Sequence, residues 1–221
     1  PTTCAPCSGS RMKAFSLAPS AALVTGSTQG IGHAIAVGLG TAGADVIFHG
    51  TKPSENLPPG SRFLAADLLA PEAPAALVAA AFRLCPALDL LVGNAGSFFD
   101  VPFLEMDADR WERTMNLNVR ATYFLVQAFA RELVARRRSG AIVIVSSTNG
   151  FQAEDDSTAY DTSKGALVMM TRSFAQSLAQ HRIRVNGIAP GVIRTPLKES
   201  WFSGKDPATR GHYEKKILLG R

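Results

Sequence analysis

Six short apolar runs punctuate this chain, and their alternation with helical stretches confines it to one kind of architecture. The runs are Ala21–Val24, Val46–Phe48, Phe63–Ala66, Leu88–Val92, Ala141–Val145 and Val185–Ile188. Between them the pattern predicts helices over Gly30–Ala42, Glu72–Leu84, Asp109–Arg136 and Ala159–Gln180. A strand apolar at every position is buried on both faces, as strands of a parallel sheet are. Parallel neighbours require crossovers, and the intervening helices supply them with the right-handed connection. The expected fold is α/β: a doubly wound parallel β-sheet in three α/β/α layers, built as a single domain. One crossover departs from the rule. The stretch from Thr51 to Gly60 holds Pro53, Pro58 and Pro59, too many for a full helix, and is expected to run as a loop or a single turn.

Composition narrows the function classes. A length of 221 residues suits one domain, and 46% apolar with 19% charged residues excludes a disordered profile. No apolar run approaches the ~18 residues of a membrane-spanning helix, so no membrane partner is expected. Cys4, Cys7 and Cys85 cannot build a disulfide framework, which points to a reducing compartment and a cytoplasmic location. The net charge of +5 is modest, and Arg131, Arg136, Arg137 and Arg138 gather at one expected helix end, where they complement its dipole. Nucleic-acid binding would want a basic stripe with interleaved aromatics; none is present, and no nucleic-acid partner is expected. His33, His49, His181 and His212 are scattered without ligand spacing, so no metal site is expected. His33 and His181 are expected on helix surfaces. Residues 1–13 are set apart as a flexible segment whose Gly9-Ser10-Arg11-Met12 reads as an expression junction before a native start at Met12. Cys4-Ala5-Pro6-Cys7 lies in that segment with no strand before it, so its spacing is given no redox or metal role.

Directly after the first strand, Thr25-Gly26-Ser27-Thr28-Gln29-Gly30-Ile31-Gly32 opens a helix. Glycines permit positive φ and let backbone N–H groups approach an anion without a Cβ in the way. The helix N-terminus adds its dipole, and the combination favours a pyrophosphate. The alternative is an ordinary tight turn, and the G-x-x-x-G-x-G spacing is not the G-x-G-x-x-G of the dinucleotide fingerprint.

Tyr160 and Lys164 stand at i and i+4 in a helical stretch and so share a face. A free phenol titrates near ~10, and a neighbouring ammonium lowers such a group by ~1–3 units, bringing it toward use as a general acid/base. Ser147 sits at the end of a buried strand upstream, where a hydroxyl could steady developing charge. Ser146, next to it, is expected on the other strand face in a structural role. No G-x-S-x-G elbow supports a serine hydrolase.

Taken in order, these elements resemble the short-chain dehydrogenase/reductase family. Thr25-Gly26-x-x-x-Gly30-Ile31-Gly32 is similar to its cofactor loop, and Asn94-Ala95-Gly96 to its N-N-A-G element, with Gly93 in place of the first Asn. Asn118 follows Trp111 at the family's usual distance; Ser147, Tyr160-Asp161-Thr162-Ser163-Lys164, Asn186 and Pro190-Gly191 complete the series. The similarity runs from about Ala14 to Arg221.

The resemblance implies a Rossmann-type, NAD(P)-dependent oxidoreductase interconverting a secondary alcohol and a ketone, on a sugar, polyol or 3-oxoacyl type substrate. Tyr160 would exchange the proton, Lys164 would hold the nicotinamide ribose and depress the Tyr160 pKa, and Ser147 would bond the substrate oxygen. Asn118 would bind a water linking Lys164 to solvent; the alternative is a helix-interior Asn bonded to its own backbone. Cofactor contacts would come from Gly26, Thr28, Gln29, Gly30, Ile31 and Gly32, from Thr51, and from Asp67 and Leu68 flanking the adenine. Asn94, Ala95, Gly96, Tyr160, Lys164, Pro190, Gly191, Ile193 and Thr195 would complete them. NADP(H) is favoured over NAD(H), because Gly50 stands where an NAD-type Asp would fall and Thr51 and Lys52 can receive a phosphate; Gln29, often Arg in NADP-preferring members, weighs against.

Substrate contacts are expected from Asn149–Ser157, from Gly96–Val101 and from the segment after Gly191. Leu197–Tyr213 would serve as a lid or as an ordinary surface loop, and Glu154-Asp155-Asp156 as a solvated turn or a polyol contact. The family's further helix and last strand find no counterpart after Leu219, while a homodimer or homotetramer is expected through the helices at 109–136 and 159–180. The alternative from another class is a non-catalytic dinucleotide-binding sensor or scaffold on the same fold.

Overall fold

Strand β1 (Ala21–Val24) has no exposed residue, because it runs parallel between β2 (Asp45–Gly50) and β4 (Leu88–Gly93). Its sequence, four apolar residues in a row, is what a strand covered on both faces requires. The computed structural model describes residues 16–195, and their six strands form one parallel sheet in the order β3-β2-β1-β4-β5-β6. The remaining strands are β3 (Arg62–Ala65), β5 (Gly140–Val145) and β6 (Ile183–Ile188). The order reverses between β1 and β4, and a crevice opens at such a switch point beyond the carboxyl ends of the strands.

Helices α1 (Gly30–Thr41), α2 (Ala73–Leu84), α3 (Ala108–Met115), α4 (Ala121–Ala135) and α5 (Thr158–Leu178) make the crossovers. The core has two parts. On one sheet face Leu77, Phe82, Leu125, Phe129 and Leu167 pack on Leu23, Leu91, Ile142 and Ile144. On the other, Ala36 of α1 meets Val24, Val46, Phe48 and Val145. Each fully buried large apolar side chain contributes about 1.5–3 kcal/mol.

The segment from Thr51 to Gly60 holds no helix. Strands β2, β4, β5 and β6 begin or end beyond their apolar runs, since backbone pairing continues past the last apolar side chain. The single helix expected over Asp109–Arg136 is instead two, joined by a π-helical turn at Asn116–Arg120 in which the Ala121 N–H donates to the Asn116 carbonyl. The extra residue accommodated there turns Asn118 into the interior, where it is 1% exposed. Two of the arginines after α4 have protein partners: Arg136 pairs with Glu132 at 2.8 Å, and Arg138 donates to the Pro86 and Ala87 carbonyls. His181 is exposed as expected, but His33 is half-buried with its ring against Phe48. The expectations for residues 1–13 and for the segment Leu197–Tyr213 lie outside the described residues.

Candidate active site

The glycine turn between β1 and α1 is held open by its glycines and closed underneath by neighbours. Gly26 and Gly30 have φ of 61° and 59°, a region costly for other residues. A Cβ at Gly32 would stand 2.3 Å from both the Gly26 carbonyl oxygen and Asn94 Nδ2, and one at Gly26 would lie 2.9 Å from the Ala95 Cα. Asn94 Nδ2 donates to the carbonyls of Thr25 (2.9 Å) and Gly26 (3.0 Å), clamping the turn to the end of β4. Thr25 Oγ1 accepts from the N–H groups of Asn94 and Ala95.

A histidine that the sequence reading gave no role in the site lies below. His49, 2% exposed at the end of β2, accepts the Gly26 N–H on Nδ1 at 3.1 Å. Burial pushes its pKa down to about 4, against a smaller upward pull from the Ala66 carbonyl. The signal was present: a polar ring on the strand face of Ile47, one residue before Gly50, at the strand end nearest the turn.

At its N-cap position α1 carries Gln29, whose side chain caps nothing, so the first-turn N–H groups have no side-chain acceptor from it. An uncapped helix N-terminus behind a glycine cradle suits a pyrophosphate. The residues present therefore fit a dinucleotide. At the end of β2, a Cβ on Gly50 would meet Thr28 Cγ2 at 2.6 Å, so Thr28 fills the space an acidic side chain would take. Thr51 and Lys52 are exposed beside it.

Across the cleft stand Tyr160 and Lys164, one turn apart on α5. Lys164 Nζ lies 5.3 Å from the Tyr160 ring centroid and 3.2 Å from the Val145 carbonyl, to which it donates. Lys164 is only 5% exposed, and desolvation lowers its pKa to about 8. Gly26, Gln29, Gly30, Ile31 and Gly32 form one wall of the cleft, and Asn94 and Gly96 its floor. Val145, Ser146, Ser97, Phe98, Tyr160 and Lys164 line the cleft as well, and Thr195 lies against Gly30. Pro190, Ile193 and Thr195 border an adjoining cavity against α1. Thr28, Thr51, Asp67, Leu68, Ala95 and Gly191 line neither cavity. The Leu68 side chain packs into the core. Asp67 is exposed, and its carboxylate accepts the Leu69 N–H.

Ser147 is 8% exposed and sits near enough to the Tyr160 phenol to pull its pKa down. Its Oγ donates to Asn149 Oδ1 at 3.3 Å and accepts the Asn149 N–H. Ser146 turns to α5 and donates to the Lys164 carbonyl at 2.9 Å, a tie between strand and helix that fits the structural role expected of it.

Two expectations need correction. The Tyr160 phenol is held above its ordinary range, chiefly by burial, with smaller upward pushes from Asp161 and Asp100; Ser147 opposes them. A lowering by Lys164 is not among the influences on the phenol in the chain alone. The Asn118 amide does not bond its own helix backbone, as the alternative reading of it supposed. Its Oδ1 accepts the Ser97 N–H (2.9 Å), while Nδ2 donates to the Ser97 carbonyl (3.0 Å) and Ser163 Oγ (3.0 Å). Its side chain thus fixes the loop over the cleft. Its own carbonyl accepts from Thr122 Oγ1.

Among substrate-side segments, Glu154-Asp155-Asp156 turns in solvent, with Asp155 and Asp156 exposed. That loop is fastened by Asp161, which accepts from Asn149 Nδ2 (2.7 Å), Ser157 Oγ (2.7 Å) and the Glu154 N–H (2.9 Å). Asp161, Asn149 and Asp100 were not singled out by spacing: Asp100 acts across the fold, 59 residues from Ala159, and the other two act within a loop whose course no motif spacing gives. Among the described residues, no group of three His, Cys, Asp or Glu side chains is placed to hold a metal ion.

A parallel sheet with a glycine cradle at its switch point, and a Tyr paired with a buried Lys in the same cleft, defines a nucleotide-dependent oxidoreductase. A family model described as short chain dehydrogenase matches residues 20–206. The chain belongs to that family and is a dehydrogenase/reductase of its type. It is 35% identical over 191 residues to 2-dehydro-3-deoxy-D-gluconate 5-dehydrogenase of Escherichia coli (strain K12), covering 83% of this chain and 76% of that one. L-xylulose reductase of Mus musculus is 36% identical over 211 residues, covering 93% and 84%. Among solved structures, a gluconate 5-dehydrogenase from Burkholderia cenocepacia J2315 in complex with NADP and tartrate superposes with a TM-score of 0.87 at 28% identity, covering 94% of this chain and 84% of that one.

Proposed function

We propose that this chain is an NADP(H)-dependent enzyme interconverting a secondary alcohol and a ketone on a sugar, polyol or sugar acid, with Tyr160 as the general acid/base. The observation that carries the reading is that Tyr160 and Lys164 line the glycine cradle's cleft one helical turn apart, with Ser147 near enough to Tyr160 to act on its phenol. When bound, the nicotinamide would supply or accept the hydride. The proton would be the chain's task. In reduction the Tyr160 hydroxyl donates to the substrate oxygen as it gains negative charge, and the Ser147 hydroxyl bonds the same oxygen. A phenol held protonated by burial suits the donating role. Lys164, carrying its charge at neutral pH, would hold the nicotinamide ribose hydroxyls and favour the phenolate left behind.

The cofactor contacts expected from the sequence stand as proposals with these roles, including Thr28, Thr51, Ala95, Pro190, Gly191 and Ile193. For Asp67 and Leu68 only the backbone faces the adenine in this reading. NADP(H) is favoured because Thr28 occupies the acidic residue's space over Gly50, leaving Thr51 and Lys52 to a 2′-phosphate. NADP is bound in related structures, the Burkholderia enzyme included. The substrate class draws on relatives named for gluconate derivatives and xylulose. A 3-oxoacyl thioester is the nearest rival, since a 3-oxoacyl-[acyl-carrier-protein] reductase of Aquifex aeolicus is 32% identical over 209 residues. Two copies would meet through α4 and α5, where Tyr123, Phe124 and Met169 leave apolar surface exposed. A cytoplasmic setting is consistent with the free thiol of buried Cys85.

The test is a panel of keto-sugars, keto-sugar acids and acyl thioesters, followed by nicotinamide absorbance with NADPH and NADH. One keto-sugar or keto-acid should be reduced, with kcat/KM favouring NADPH. Tyr160→Phe should lower kcat by about 10²–10⁴-fold with the NADPH dissociation constant unchanged. Survival of turnover in that variant would give the mechanism to another group, and absence of turnover across the panel would favour a sensor on this fold.

A further inference from the structure

Helix α5 begins without help from its own N-cap residue. Ser157 occupies that position, but its hydroxyl donates to Asp161 Oδ1 at 2.7 Å and caps no first-turn N–H. The first-turn donors need an acceptor, because a helix N-terminus leaves its opening N–H groups unpaired within the helix. The acceptor comes from a different part of the chain. Asp100, in the loop after β4, takes the Ala159 N–H at 2.8 Å on Oδ1. The Tyr160 N–H is shared between both oxygens, at 3.2 Å to Oδ1 and 3.1 Å to Oδ2. The backbone of Tyr160 itself is thus one of the two groups held.

The loop bearing Asp100 is itself fixed. Three residues earlier, Ser97 is bonded through both its N–H and its carbonyl to the buried amide of Asn118. Phe98, between the two anchors, presents its ring edge-on to Tyr160 with centroids 5.3 Å apart. The loop is pinned at Ser97 to the π-helical turn and at Asp100 to the start of α5. The phenol at the cleft is positioned from both its backbone and its ring.

Resting on the reading of Tyr160 as the acid/base, we propose that Asp100 is the positioning residue for it: the carboxylate sets the first turn of α5 and hence where the Tyr160 hydroxyl lies. A cap is made by an acceptor oxygen, and a side-chain amide supplies one as well as a carboxylate does. Reach is set by the loop, so shortening the side chain to a methyl group removes the anchor. The effect falls on the chemical step, because a small misplacement of a reacting group is costly in rate while the glycine cradle is untouched.

The experiment compares Asp100→Ala with Asp100→Asn in the full chain. Backbone hydrogen exchange at Ala159 and Tyr160 should quicken roughly fivefold or more in D100A and return close to the parent rate in D100N. With the ketone the panel identifies, kcat should fall roughly 10–100-fold in D100A and recover to within about threefold in D100N, with the NADPH dissociation constant unchanged in both. Unchanged exchange at those two amides in D100A would overturn the proposal, as would failure of D100N to restore kcat, or a loss of NADPH binding in step with kcat. The exchange readout needs no substrate. Should no ketone be turned over by the parent chain, the functional reading fails while exchange still decides whether Asp100 holds α5.

Discussion

On the α1 side of the cleft the geometry depends on side chains that are missing, and on the α5 side it depends on side chains that reach across the fold. Gly26, Gly32 and Gly50 leave room for backbone and for Thr28, and a single added Cβ would fall 2.3–2.9 Å from a neighbour. Tyr160 and the loop over it are held by Asp100 and Asn118 through hydrogen bonds spanning 59 and 21 residues, while Asp161 and Asn149 fasten the neighbouring loop over shorter spans. The first wall is specified sterically and tolerates no additions. The second is specified by acceptors and tolerates replacements that keep the acceptor. A binding surface for an anion needs close backbone approach, whereas a proton-transfer group needs one atom held in place; the two walls answer those separate demands.

The sharpest way to break this comparison is Lys164→Met. Turnover should drop by about 10³-fold. The free protein should nevertheless be no less stable at pH 7. A lysine with its folded pKa lowered to about 8 is disfavoured in its charged form by folding, so below pH 8 its burial opposes the native state by about 3 kcal/mol. Losing the bond to the Val145 carbonyl offsets part of the gain, about 1–2 kcal/mol. Thermal melts should also show parent stability rising from pH 8 to about 10.5, the unfolded value, and a flat profile in the variant. A lower Tm at pH 7 would show that the charge is a stabilising element and that the α5 wall is not held as described.

Next in size is Gly32→Ala. Overpacking against the Gly26 carbonyl and Asn94 should cost about 2–3 kcal/mol, raising the NADPH dissociation constant by up to about 100-fold. Fluorescence titration with NADPH measures it, and kcat at saturating cofactor should hold. A fall in kcat with binding intact would mean the two walls are not separable.

The smallest effect expected concerns His49. Its folded pKa of about 4 lies below the usual 6.5, so the unfolded chain takes up a proton first as pH falls. Stability should therefore be full above pH 6.5 and decline below it, by about 2 kcal/mol at pH 5. His49→Asn, which keeps an acceptor for the Gly26 N–H, should flatten that decline in urea titrations at pH 7 and pH 5. An unchanged decline would move its origin elsewhere.

The same contrast decides what could be read from the sequence. Missing side chains are visible as letters: the glycines after β1, the Gly50 that ends β2 and the i, i+4 spacing of Tyr160 and Lys164 all sit where local pattern places them. The parallel, doubly wound sheet followed from apolar runs because burial on both faces writes itself into each residue. Asp100 could not be found this way. Its partners are Ala159 and Tyr160, and only the fold brings that loop to the helix start. The phenol's upward shift was hidden for a related reason, since burial is a sum over neighbours that no spacing encodes. Asn118 was singled out by position, but its function in the structure required Ser97 to be opposite it.

The π-helical turn at 116–120 sets a phase. Regular helix advances about 100° per residue. Deleting one residue from this turn would let α3 and α4 fuse into a continuous rod while rotating one relative to the other by roughly that angle. Leu125, Phe129 and Leu133 would swing off α2 and the sheet, or Thr114 would leave the interior beside α5; both sets could not stay inside. Chain length across this junction is thus as tightly constrained as any side chain near the cleft, and shortening it by one should be more damaging than most substitutions within it.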